Sequence, residues 1–280
     1  MPALLFKDIG KKAADVLNDD YDFNRKLKVK TKTTNGVTFT TEGALNANKS
    51  ILAKLGASFN HSSGINFTKL QVTTQGRLIG EAEIANALVD NLKLGFKLED
   101  GANKGTARQV GTVEAKYVQD KFSIHSQLDF SGSNITNAGV FHYENFVLGA
   151  NTGFSLEKSA VSDYGGAIGY KVADFEATIL AKKLCKNLTA SFSHAVNKDV
   201  IYSAVFDHDS KTAANTLTVG GRYTANAETT YLAKIDSEGI VSIASIQKLR
   251  PYVSLTTSAQ IDAKNFDGDA HKFGFGITLG

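Results

Sequence analysis

Strict alternation of apolar and polar residues, renewed from Arg25 to the last residue, limits this chain more than any other feature. Residues 26–32 read KLKVKTK. In an extended strand this puts Lys26, Lys28, Lys30 and Lys32 on one face and Leu27, Val29 and Thr31 on the other. Asn35-Gly36 follows, a pair that favours a tight hairpin turn. The next strand sets Val37, Phe39 and Leu45 against Thr38, Thr40, Glu42 and Asn46. The period returns in Leu92, Leu94, Phe96 and Leu98, and in Phe122, Ile124 and Leu128. It returns again in Leu217, Val219 and Tyr223, and at the end in Phe273, Phe275, Ile277 and Leu279. Short polar breaks separate the strands, at His61–Gly64, Gln75-Gly76, Gln119–Lys121, Asn197-Lys198 and Ser237–Gly239. Two stretches lose the pattern: Ile65–Thr74, where the apolar face switches, and the Gly-rich Ile135–Tyr170.

Breaks this short join neighbouring strands, so the strands form an antiparallel up-and-down meander. A long meander left open exposes aggregating edges, and closing it into a barrel removes them. A barrel of many strands is too wide for side chains to fill, so its interior is wet. The polar face must then line the inside, and the apolar face must meet lipid. Setting aside the first ~24 residues, strands of ~10 residues with turns of ~3–4 predict ~18–20 strands. The expected fold is an all-β transmembrane barrel, residues 25–280, preceded by a helix and linker, residues 1–24. The alternative is a soluble β-rich protein of two sandwich domains. It needs a boundary linker, and no Pro/Ser-rich stretch supplies one.

Composition agrees with the membrane reading. Of 280 residues 42% are hydrophobic, with a formal net charge of +3, so the chain does not read as disordered. No window holds the roughly 18 consecutive apolar residues of a membrane helix. Cys185 is the only cysteine, which excludes a disulfide scaffold. There is no Trp, so Tyr117, Tyr143, Tyr170, Tyr202 and Tyr252, near the strand ends, must supply the interfacial girdle with Phe.

The first twenty residues differ. Leu5, Ile9, Ala13 and Val16, with Leu17, follow a helical rhythm against Lys7, Asp8, Lys11, Lys12 and Asp15, and Gly10 breaks or bends the helix. Ala3–Phe6 is too short for the core of a secretory signal. The stripe can pack on the protein's own domain, lie on a membrane surface or serve in targeting.

Several segments resemble the voltage-dependent anion channel family, the mitochondrial porins. They are Asp8-Ile9-Gly10-Lys11 with Asp15-Val16-Leu17, the hairpin LKVKTKTTNGVTF from Leu27, GINFT at Gly64–Thr68 and LKLGF at Leu92–Phe96. The tail is the most specific: Leu249-Arg250-Pro251, then SAQIDAKNFDGDAHKFGFG at Ser258–Gly276. The resemblance implies a 19-stranded barrel with parallel first and last strands and the N-terminal helix inside the pore, in the mitochondrial outer membrane. It also implies a voltage-dependent, weakly anion-selective diffusion channel for ATP, ADP, phosphate and other small metabolites, with a possible homo-oligomer. It maps a nucleotide-contacting patch to Ile240, Val241, Ser242, Ser258, Ala259, Gln260, Ile261 and Asp262. Lys69 departs from the lipid-facing glutamate of many animal members and is expected near an interface or snorkelling. Asp19-Asp20 replace a lysine common near the helix end.

On the strands that can be phased, inward cations are Lys26, Lys28, Lys30, Lys32, Lys54, Arg77, Lys93, Lys97, Arg108, Lys116, Lys182, Arg222, Lys234, Lys264 and Lys272. Inward acids are fewer: Glu42, Glu81, Glu83, Glu99, Glu114, Asp129, Glu176, Asp236 and Asp262. The surplus predicts a positive lumen. Lys11, Lys12, Lys28, Lys30, Lys32, Lys93, Lys97, Arg222 and Lys272 are the expected pore-lining anion contacts. No enzyme signature, cofactor motif or nucleic-acid patch is found. Asp207-His208-Asp209 and Asp267–His271 are expected to be solvated turns rather than metal ligands. A protein-import barrel of the same superfamily would share the architecture but carry a longer N-terminal extension.

Overall fold

The computed structural model describes residues 4–46, 50–86, 89–101, 109–268 and 270–280. A 3-10 turn, Phe6–Asp8, and the helix α1, Lys11–Asn18, precede the strands. These are β1 (Arg25–Lys32), β2 (Thr38–Leu45), β3 (Ile51–Asn60), β4 (Ile65–Thr73), β5 (Leu78–Ala85), β6 (Leu92–Asp100) and β7 (Gln109–Val118). Then come β8 (Phe122–Asp129), β9 (Asn134–Tyr143), β10 (Phe146–Ser155), β11 (Ala160–Lys171), β12 (Phe175–Lys182) and β13 (Asn187–Ala195). The last are β14 (Val200–Asp209), β15 (Ala214–Thr224), β16 (Thr229–Asp236), β17 (Ile240–Arg250), β18 (Val253–Asp262) and β19 (Lys272–Leu279).

All 19 strands form one closed sheet. Each pairs antiparallel with its neighbour in sequence, and β1 pairs with β19 in parallel, Leu27 opposite Ile277. Closure leaves no unpaired edge to meet hydrocarbon. We call the opening where β1 begins the N-terminal mouth and the one where β19 ends the C-terminal mouth.

The apolar face is the outer one. Ile51, Leu98 and Phe273 are at least 70% exposed, while Ser193, Ser203 and Ser242 on the other face are 1% exposed or less. Phe96 and Phe275 are exposed and Leu94 half-buried, as a lipid-facing surface requires. At the C-terminal mouth Phe146, Tyr170, Phe175, Phe192 and Tyr202 run ring to ring around the outside, with centroids 5.1–6.3 Å apart. This is the aromatic girdle, built without Trp. Phe96 lies mid-strand on β6, so Phe96→Lys is expected to cost about 2–4 kcal/mol of folding free energy in lipid vesicles, measured by denaturant titration. A polar change at its inward neighbour, Lys97→Gln, should cost far less.

The two unclear stretches have distinct causes. In β4 the register shifts between Phe67 and Lys69, so one extra residue, Thr68, enters the strand. Such a bulge reverses the parity of the residues after it. Lys69 therefore stands opposite the inward Glu81, on the lumen side. That corrects the expectation of an interfacial or snorkelling lysine. In β9–β12 the wall under the N-terminal segment is apolar on its inner side: Val140, Val147 and Leu180 are buried there with Ile9. Both faces then carry apolar residues and the alternation loses contrast.

Candidate functional site

The inner wall and the segment lodged against it form the site. Gly10 takes a left-handed φ of 75° between the 3-10 turn and α1, which lets the stripe Ile9, Ala13, Val16 and Leu17 bury on one side. The close fit has small residues behind it. A Cβ on Gly10 would sit 2.9 Å from Ser191 Oγ and Thr178 Oγ1, and one on Gly220 would sit 2.7 Å from Leu17 Cδ2. Near the chain start, Ser123 Oγ donates to Leu4 O (2.5 Å), and Leu4 N donates to His142 Nε2 (3.1 Å). Every one of these partners is lumen-facing by register, so the helix lies within the barrel, along β13–β16. Leu17→Asp buries a carboxylate without a partner and is expected to undock the helix. Cysteine labelling of residue 13 in lipid vesicles, fast in the variant and slow in the parent, checks this.

The linker that follows is held by charge and by close approach. Asp20 lies 3.9 Å from Arg222, and Asp22 lies 3.4 Å from Lys26. Lys234 Nζ sits 4.7 Å from the centre of the Tyr21 ring. Burial, helped by Asp20, pushes the Tyr21 phenol up to about 12. The ring is therefore neutral at physiological pH, and Lys234 meets a π face rather than a phenolate.

The wall divides into sectors. From β2 to β8 most charge is paired, Lys93 excepted: Glu42 with Lys54 (2.9 Å) and Lys26 (3.5 Å), Glu99 with Arg77 and Lys97, and Lys116 with Glu83 and Glu114. From β12 to β14 the wall behind the helix carries small hydroxyls, with Thr178 bonded to Ser191 (2.5 Å) and Ser203 to Ser193 (3.1 Å). Around the parallel seam it is cationic. There Lys28, Lys30, Lys32, Lys248 and Lys272 face the lumen with no carboxylate within 4.0 Å among the described residues. The register row from Lys248 through Ser254 and Thr278 reaches Lys28 across four adjacent strands.

The expected contacts fall into three groups. Lys28, Lys30, Lys32, Lys93 and Lys272 are inward with no carboxylate partner among the described residues, and Lys11 and Lys12 stand on α1 within the pore. Lys97 and Arg222 are inward but tied to Glu81 and Glu99, and to Asp20. Of the mapped nucleotide patch, Ile240, Ser242, Ser258, Gln260 and Asp262 face inward, whereas Val241, Ala259 and Ile261 alternate outward and cannot touch a solute in the pore. Ser242 and Ser258 are also buried, Ser258 Oγ donating to Asp20 O (3.5 Å). Arg77 and Lys264 are turn residues, not strand residues; Arg77 reaches Glu99, and Lys264 Nζ donates to Ser237 O (3.2 Å). Arg108 lies outside the described residues.

Strand reading missed Lys171, Lys248, Asp163, Asp207 and Asp209, all lumen-facing by register. Asp207-His208-Asp209 ends β14 rather than forming a turn, and His208 points away from its two neighbours. That alternation is why the three cannot converge on a metal. No group of three His, Cys, Asp or Glu among the described residues could hold one.

Sequence comparison agrees with this geometry. A rabbit (Oryctolagus cuniculus) protein named "Non-selective voltage-gated ion channel VDAC3" is 31% identical over 277 residues, 97% of this chain and 96% of its own. A Xenopus laevis protein named "Non-selective voltage-gated ion channel VDAC2" is 31% identical over 289 residues, covering 98% of each. Among solved structures, a Rhodopseudomonas blastica porin triple mutant is similar at 11% identity and a TM-score of 0.48, covering 86% of this chain and 90% of its own. The eukaryotic porin family model matches residues 3–274, and the chain belongs to that family.

Proposed function

We infer that the protein is a voltage-gated diffusion channel of the mitochondrial outer membrane, weakly anion-selective in its open state. The observation that carries this reading is the seam of lysines with no carboxylate partner among the described residues, on the wall of a barrel whose outer face is apolar. The names of the relatives support channel activity, and family membership supports the location.

The selectivity is weak for a physical reason. One unit charge ~10 Å away in water is worth only about 0.4 kcal/mol, and a Debye length of ~8 Å reduces it further. Several seam lysines together bias anions by about 1 kcal/mol, enough for preference but not for a filter. ATP, ADP, phosphate and small organic acids fit such a pore. Lys28, Lys30, Lys93 and Lys272 on the wall, with Lys11 and Lys12 on the helix, are the groups to meet their phosphates.

The test is a planar bilayer with a salt gradient across the pure protein. A reversal potential of the sign for modest anion preference supports the reading. Absence of conductance, or open-state cation preference, sinks it.

A further inference from the structure

The two mouths solve the same turn problem with different chemistry. At the C-terminal mouth three hairpins are capped by asparagine: Asn197 Oδ1 accepts from Asp199 N and Val200 N, Asn226 Oδ1 accepts from Glu228 N and Thr229 N, and Asn86 Oδ1 accepts from Asn91 N. At the N-terminal mouth Thr73 Oγ1 and Ser155 Oγ cap two hairpins, and in four others the acceptors are carboxylates. Asp129 Oδ1 accepts from Ser131 N and Gly132 N, Asp209 Oδ1 from Lys211 N, Asp236 Oδ1 from Glu238 N and Ile240 N, and Asp262 Oδ1 from Lys264 N and Asn265 N. Asp163 Oδ1 does the same for Leu184 N in the adjoining hairpin. A turn of this kind needs only an acceptor, and Asn and Asp serve it alike. The turns therefore do not require the five charges.

All five side chains belong to lumen-facing register positions. With Asp207 they outnumber Lys26, Lys182, Lys234 and Lys272 on the described wall at that end, while Glu99 is matched by Arg77 and Lys97. The C-terminal end has the opposite balance: Lys32, Lys93, Lys116, Lys171, Arg222 and Lys248 outnumber Glu83, Glu114 and Glu176 on the wall, with Asp20 of the linker beside Arg222. Arg77, Lys158, Lys183, Lys186, Lys211 and Lys264 stand in the hairpin turns beyond the acidic end, where bulk salt screens them more than the wall.

We propose that the capping aspartates form an acidic ring that gives the pore an axial electrostatic polarity, so that its ion preference depends on which mouth faces dilute solution. Charges on the dilute side are the less screened and dominate selectivity. With the C-terminal mouth on the dilute side the basic end governs and anion preference is strong. With the N-terminal mouth there, the acidic ring opposes it. The difference expected between the two directions is about twofold in the anion-to-cation permeability ratio. The proposal rests on the pore conducting ions and adds the roles of Asp129, Asp163, Asp209, Asp236 and Asp262.

The experiment uses single channels of the full chain in a planar bilayer, each measured in a KCl gradient and then with the chambers exchanged. The parent should give two unequal permeability ratios in every channel, whatever its insertion orientation. The combined Asp129→Asn, Asp209→Asn, Asp236→Asn and Asp262→Asn variant should raise the lower ratio toward the higher and leave the higher unchanged. Asparagine already caps the opposite mouth, so the turns are preserved. Asp236→Asn alone, moving the lower ratio in the same direction, covers the case in which the fourfold variant does not fold. Equal ratios in the parent overturn the proposal, and so does a variant that leaves both ratios where they were. Equal ratios that still favour anions leave the proposed function standing, whereas loss of anion preference in both directions removes it as well.

Discussion

Replacing Lys28, Lys30, Lys32, Lys248 and Lys272 together by glutamate is expected to convert anion preference into cation preference. These five side chains face the lumen and have no carboxylate partner among the described residues. Each exchange shifts the wall by two unit charges. A bias of about 1 kcal/mol toward anions then becomes one of similar size toward cations, a change of roughly tenfold or more in permeability ratio. The reversal potential should change sign. Removing a balanced pair instead, with Glu42→Gln and Lys54→Gln, should leave that potential almost where it was. If the fivefold exchange leaves the parent's sign unchanged, the seam does not set selectivity.

The second large effect is expected at Gly274. The linker backbone crosses the wall there: a Cβ on Gly274 would overlap the Asp22 carbonyl and lie 2.6 Å from Phe23 Cα. Neither neighbour is the far end of a flexible side chain, so the linker itself must move. Overpacking of this sort costs about 1–3 kcal/mol. Gly274→Val should accordingly undock the N-terminal segment about 5- to 150-fold more often, read as faster protease cleavage at 19–24 in vesicle-bound protein. Two residues on, a Cβ at Gly276 meets nothing nearer than 3.8 Å. Gly276→Ala is the matched control and should cleave like the parent. Equal rates in both variants would show that the linker is not held against this strand.

How far the molecule could be read beforehand depended on contrast between the two faces. Where water lies on one side and lipid on the other, as at Lys26–Lys32 or Leu92–Leu98, residue character reports the face directly. The contrast fades under the helix, because Val140, Val147 and Leu180 turn inward to meet Ile9 and Phe6. It inverts at Thr68, because one extra residue exchanges the faces without any change in composition. Lys69 was misplaced for that reason. Val241, Ala259 and Ile261 came from a contiguous stretch transferred by resemblance, and a contiguous stretch of strand always straddles the sheet. The pairing of Arg77 with Glu99 and the capping roles of the aspartates depend on neighbours 20 or so positions away or on turn geometry, which periodicity does not encode.

The parallel seam also acts as a parity check on assembly. In an up-and-down meander, an odd count makes the first and last strands run the same way, and an even count makes them oppose. Loss or duplication of a whole hairpin keeps the count odd and preserves a parallel junction. Loss of one strand makes it even, and Arg25–Val29 would then face Phe275–Leu279 head to tail with no register of the present kind. Length variation in this architecture is therefore expected in steps of two strands, and the ring can close only after the final strand has been made.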